Sequence, residues 1–158
     1  MKAELSNREP IIAKLNEIVE HELAGVVRYT HYSFMVFGFS RIPVVSWFRS
    51  AANETLVHAT EAGEMITLLG GHPSLGIGSL LETHQHDMAE ILRESMDFEI
   101  KGVELYRELL TLAEQAGSIT VEEYARQKIS EEAMHVGDID KMLRRPGEVK
   151  QAVPTSTP

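Results

Sequence analysis

The sequence predicts an all-α protein, a four-helix bundle of two antiparallel hairpins with a long crossover between helices two and three. Three observations carry this prediction. Apolar residues recur at helical spacing along most of the chain, and strand signals are weak throughout. Clusters of Gly and Pro divide the periodic sequence into four segments of about 25 to 30 residues, the length of bundle helices. One phrase occurs twice: ELAGVVRY from Glu22 to Tyr29, and EIKGVELY from Glu99 to Tyr106, 77 positions apart.

The elements follow in order. Ser6-Asn7-Arg8-Glu9 is a capping-box pattern, and Pro10 fits the first turn of a helix. Ile11, Leu15, Ile18, Val26, Tyr29 and Val36 continue that helix to about Gly38. The break from Gly38 to Pro43 makes a turn, with Pro43 opening helix two. Gly70-Gly71 and Pro73 stop that helix. The glycine-rich stretch GGHPSLGIGS follows, then a third helix that ends near Ala116-Gly117. Thr120-Val121-Glu122-Glu123 reads as a second capping box, opening a fourth helix that runs to about Arg145. One domain is expected over residues 1–145, and a loose surface tail over 146–158.

Composition bounds the function. The chain has 158 residues, enough for one domain with a real core. Its net charge of −9 argues against nucleic acid or an anionic membrane as partner and suits attraction of cations. The absence of cysteine excludes disulfides, thiolate zinc sites, iron–sulfur clusters and cysteine nucleophiles. MKAELSNREP lacks the apolar run of a signal peptide, and no stretch reaches the roughly 18 apolar residues of a membrane span. A cytoplasmic location is the default expectation.

The repeated phrase locates a site. The offset of 77 carries Glu22 onto Glu99, Gly25 onto Gly102, Tyr29 onto Tyr106, Glu54 onto Glu131 and His58 onto His135. In an antiparallel pair, residues equally far from the turn lie at one height. The midpoint of Glu22 and His58 is position 40, inside the first break. The midpoint of Glu99 and His135 is Gly117, at the second hairpin turn. Each hairpin therefore sets a glutamate level with a histidine. Glu132 and His135 form E-x-x-H, whose side chains share one helix face about 5–6 Å apart at Cβ. Glu22 lies in an apolar stripe with Leu15, Ile18, Val26 and Tyr29. Glu99 lies in another with Met88, Leu92, Val103 and Tyr106. Acids so placed cost several kcal/mol unless paired or bound to a cation. Carboxylate and imidazole without sulfur suit iron or manganese, and zinc is a third candidate.

Chain lengths select the topology. A helix that starts at Asp87 puts Glu99 12 residues in, matching the 12 residues from His58 to Gly70. The return past the bundle is then about 36 Å. The intervening 16 residues extend to roughly 50 Å. A tight turn into a helix from Ser79 would set Glu99 about 12 Å off level.

These residues resemble the ferritin-like di-iron carboxylate superfamily, bacterioferritin most of all. The similarity spans roughly positions 8 to 145. It rests on LNEIVEHELAGVVRY, HATEAGEMITLLGGHPSL, DFEIKGVELYREL and EEAMHVGDIDKML. The resemblance implies a ligand set of Glu22, His58, Glu99, Glu132 and His135, with Glu132 bridging two irons and the histidines terminal. Tyr29 matches the tyrosine beside the family's di-iron site. The implied activity is oxidation of Fe(II) by oxygen or peroxide, for iron storage or detoxification, in a homo-oligomer of at least two chains. Two alternatives stand beside it: a non-catalytic subunit with a degenerate metal site, and another di-metal enzyme, of peroxidase or manganese catalase-like type.

Three departures from the family pattern follow. Thr55 stands three residues before His58, where the pattern has a bridging Glu, and the adjacent Glu54 is the candidate substitute ligand. The haem-binding methionine of bacterioferritins falls at Leu56, so haem held in that manner is not expected. The tail does not resemble the short fifth helix of bacterioferritins. His84 and His86 are expected at a solvated helix start, His21 and His31 off the apolar face, and Tyr106 against the site as the mirror of Tyr29.

Overall fold

The computed structural model describes residues 7–80 and 83–151. They form four helices: α1 (Glu9–Met35), α2 (Arg41–Leu68), α3 (Met88–Ala116) and α4 (Ile119–Leu143). No strand occurs among the described residues.

The ends of the helices have local causes. Pro10 lies in the first turn of α1, where a missing N–H costs no helical bond. Ser6, the expected cap of α1, lies outside the described residues. Gly38 turns the chain with φ at +99°, and Arg41 Nη1 donates to Val36 O across the turn at 2.6 Å. Pro43 sits inside the first turn of α2 and does not open it, because the helix already starts at Arg41. Gly70 and Gly71 end α2, donating back to Thr67 O and Ile66 O. Asp87, where the crossover length sets the start of α3, caps that helix, accepting from Ala89 N at 3.1 Å. Gly117 closes α3 in the left-handed region, with φ at +66°. That turn already aims the chain into α4 at Ser118, so α4 begins before Thr120, the predicted cap.

Tyr29 on α1 reaches Glu99 on α3, and Tyr106 on α3 reaches Glu22 on α1. The later residue of one helix meets the earlier residue of the other, so α1 and α3 run antiparallel. With α1 and α2 joined as a hairpin, α3 runs parallel to α2 and the long crossover is present. Two α1 side chains one turn apart strap it down. Asn16 accepts from Ser74 N at 2.7 Å and donates to His72 O at 3.2 Å. Ser74 Oγ donates to Glu20 Oε1 at 2.5 Å, and Gly78 N donates to Glu20 O at 2.8 Å.

The interior has two apolar halves. Ile11, Leu15, Ile18, Ile66, Tyr106, Leu109 and Val121 anchor one. Tyr29, Phe48, Ile91, Leu92, Met96 and Ile139 anchor the other. Between them Glu22, Thr55, His58, Glu99 and Glu132 form a buried polar layer. Trp47 packs against the second half and its buried neighbour Phe48. Beyond α4, residues 146–151 are exposed, and the rest of the tail lies outside the described residues.

Gly25 lets the layer close. A Cβ there would lie 2.3 Å from Phe98 Cζ and 2.7 Å from Thr55 Cγ2. At Gly63, also helical, a Cβ would meet nothing within 4 Å. Gly25→Ala is therefore expected to destabilise the fold by about 1–3 kcal/mol through overpacking. Gly63→Ala should stabilise it by about 0.5–1 kcal/mol through helix propensity alone. Urea unfolding of both variants checks this, and equal effects at the two sites would refute the close packing at Gly25.

Candidate metal centre

Four helices each contribute to the polar layer. Glu22 comes from α1, His58 from α2, Glu99 from α3, and Glu132 and His135 from α4. Their donor atoms fall into two groups, each within 4.8 Å: Glu22, His58 and Glu132, then Glu99, Glu132 and His135. Glu132 belongs to both. Its Oε1 lies 2.8 Å from His58 Nδ1, and its Oε2 lies 3.9 Å from His135 Nδ1. The two imidazoles stand nearly parallel, with centroids 6.0 Å apart.

The hairpins hold one another's ligands. The Tyr29 hydroxyl donates to Glu99 Oε1, and the Tyr106 hydroxyl donates to Glu22 Oε1 at 3.0 Å. Tyr106 thus occupies the mirror position that the repeat predicts. The outer faces of the histidines are also crossed. Glu54 of α2 lies 3.1 Å from His135 Nε2, and Glu131 of α4 lies 3.4 Å from His58 Nε2. Glu54 therefore sits behind His135 and outside both donor groups among the described residues. An i to i+4 spacing keeps Glu54 on the face of His58, yet its carboxylate turns to the neighbouring helix.

Two contributors escape sequence reasoning. Lys128 is buried, and its ammonium pairs with Glu131 at 2.7 Å and with Glu61. A lysine among acids on a helix resembles any solvated salt-bridge face, so nothing in the sequence marks it. His21 stacks on Phe98 with centroids 4.1 Å apart, and its Nε2 lies 3.1 Å from Phe98 O. His21 and Phe98 are twins at the offset of 77, which was the available signal.

Charge is frustrated in this layer. Burial, and then the charge on Glu99, push Glu22 up to about 8. Burial, and then a proton shared with Glu99, push Glu132 up too. Burial also acts against Glu99, but the proton on Glu132, His135 and Tyr29 together hold it below its usual value. His135 is pushed up to about 9, first by its hydrogen bond to Glu99. His58 is pushed down, by burial and then by the charge on Lys128.

The ferritin-like domain model matches residues 12–146 of this sequence. The chain belongs to the ferritin-like family. Its fold is shared with a ferritin-like, diiron-carboxylate protein of Bacillus anthracis, with a TM-score of 0.82 at 22% identity, over 87% of this chain and 98% of that one. It is equally shared with the bacterioferritin of Desulfovibrio desulfuricans, which has a diiron site, with a TM-score of 0.82 at 21% identity, over 88% and 81% of the chains. No curated protein sequence matches it. Among the described residues, no helix of this ferritin-like chain is long and apolar enough to cross a membrane.

In metal-free protein above pH about 6.5, Glu22, Glu132 and His135 keep protons that the unfolded chain has released. The folded state then binds more protons, so stability falls as pH rises. His58 acts in the opposite sense, but only below its ordinary value of 6.5. Chelated protein should therefore lose Tm steadily from pH about 6.5 to about 8. Added divalent metal should restore more of it at the upper end, because ligands must shed protons to bind. A flat or rising Tm in chelator would show that these groups are not protonated as described.

Proposed function

We propose that this protein is a bacterioferritin-like iron protein whose polar layer takes two Fe(II) ions as substrate and oxidises them with oxygen or peroxide. One observation carries the reading: Glu132 presents its two oxygens to two separate donor groups. The residues present fit such ions. Glu99 Oε2 and Glu132 Oε1 are buried with no aligned hydrogen bond, although His135 Nδ1 and His58 Nδ1 respectively come within ion-pair distance of them. Three carboxylates and two imidazoles without sulfur make a donor set suited to iron.

Bound iron supplies the electrons for the oxidant. The chain supplies position and protons. Tyr29 and Tyr106 fix one oxygen each of Glu99 and Glu22, leaving the other free to bind. Glu54 and Glu131 stand 3.1 Å and 3.4 Å from the outer nitrogens of His135 and His58, so each Nδ1 faces the layer and can ligate once it carries no proton. The two apolar halves keep water from the layer at both ends. Protons held by Glu22, Glu132 and His135 leave as cations enter.

A second reading, a subunit with a degenerate site, is favoured by Thr55. Its hydroxyl donates to Ala51 O at 2.8 Å and gives the layer no donor. The proposal extends to a homo-oligomer, since association would cover Phe37, Phe39 and Ile42, exposed at the α1–α2 turn.

Anaerobic Fe(II) titration followed by oxygen tests the reading. The expected result is about two irons bound and oxidised per chain, abolished in Glu132→Ala because both donor groups lose a member. His58→Ala and His135→Ala should each retain about one iron. Oxidation no faster than without protein would favour the degenerate subunit.

A further inference from the structure

The internal repeat is broken at one decisive place. The offset that carries Glu54 onto Glu131 and His58 onto His135 also carries Thr55 onto Glu132. Both side chains are buried, on facing helices, in the same layer. Glu132 sends two oxygens across the layer. Thr55 turns its hydroxyl back to its own helix and points its methyl at Gly25. Relative to its twin, Thr55 is short by roughly one carboxylate group.

A cavity of about 170 Å³ lies on that side. Tyr29, Trp47, Ala51 and Thr55 line it, together with two of the metal-binding side chains, Glu99 and His135. Glu54 and Asp138 stand at its rim, with side chains 52% and 57% exposed. The cavity therefore joins solvent to the polar layer where the twin of Glu132 would reach.

Charge defines what belongs there. Two divalent cations bring four positive charges against the three carboxylates of the donor groups. One positive charge is left unmatched in a buried site. We propose that a small carboxylate-class monoanion, of formate or acetate size, enters by this cavity and takes the place beside Thr55 that the repeat assigns to a second bridging carboxylate. The rim acids do not forbid this. Water screens them, and Glu54 and Asp138 are already engaged with His135 and Lys141. The unmatched charge lies deeper than the rim, where water screens it less. The cavity volume accommodates an anion of that size, and Trp47 and Ile139 offer it an apolar wall.

The inference rests on the two-metal reading, so the experiment separates the two. Co(II) is first titrated into the metal-free protein and counted, with its visible spectrum as the probe. Failure to bind about two Co(II) per chain overturns the metal reading itself. Sodium formate, then acetate, is next added to the loaded protein. A saturable change in the cobalt bands is expected, weakened at least about tenfold in Thr55→Glu and in Thr55→Gln, which fill the cavity with and without charge. Thr55→Val should bind formate as the parent does, since the threonine hydroxyl is spent on Ala51 O. Two outcomes overturn the proposal: an equal response in Thr55→Glu, or no response in the parent. A response that then appears only in Glu54→Ala would mean that Glu54 itself swings in to fill the place.

Discussion

The bundle is organised around one constraint: three glutamates must lie together in a dry layer between two apolar halves. Each uncompensated buried charge costs several kcal/mol, against a total stability of about 5–15 kcal/mol for an ordinary domain. Left ionised and unpaired, Glu22, Glu99 and Glu132 would consume much of that margin. The structure answers with protons, tyrosine hydroxyls and histidines, each placed by a different helix. A slip of one turn in α1, α3 or α4 would move its acid about 5.4 Å into one of the apolar halves, where none of these partners could follow. The layer therefore fixes the register of the bundle, and the hydrophobic halves supply the energy that holds the acids there.

The two hairpins are alike in placement and unlike in chemistry. Glutamate, tyrosine and histidine are retained at matched positions. Among the many differences are Thr55 against Glu132, Ala51 against Lys128, and His21 against Phe98. All three lie in or beside the layer. Lys128 anchors Glu131 behind His58, whereas Glu54 behind His135 is half exposed and beside a cavity. One half of the layer is thus locked by a buried cation, and the other opens to solvent. A site with two equal halves would bind two identical ions alike. Here the two donor groups differ in what stands behind them and in their access to solvent.

Much of this was legible because hairpin geometry converts sequence distance into height. Equal distance from Gly38–Pro43 and from Gly117 was enough to bring Glu22 to His58 and Glu99 to His135, and the cap at Asp87 fell where the crossover length required. Direction was harder to read than height. The helix position of Glu54 was clear, but its choice between the layer and the back of His135 depends on rotamer and on a neighbouring helix. Lys128 was hidden because its burial comes from Glu61 on α2, far away in sequence. Thr120 looked like a cap by composition, but the left-handed turn at Gly117 had already set the start of α4.

The crossover is part of the same constraint. Tyr29 follows Glu22 by seven residues, as Tyr106 follows Glu99. For each tyrosine to hold the other hairpin's glutamate, position 29 must face 99 while position 22 faces 106. That is possible only if α1 and α3 run in opposite directions. A tight turn between α2 and α3 would make α1 and α3 parallel, and any register that then brought the glutamates together would set tyrosine beside tyrosine. The acids would then meet without their donors. The long connection, strapped to α1 by Asn16 and Glu20, reverses α3 and so lets the two hairpins exchange partners across the layer.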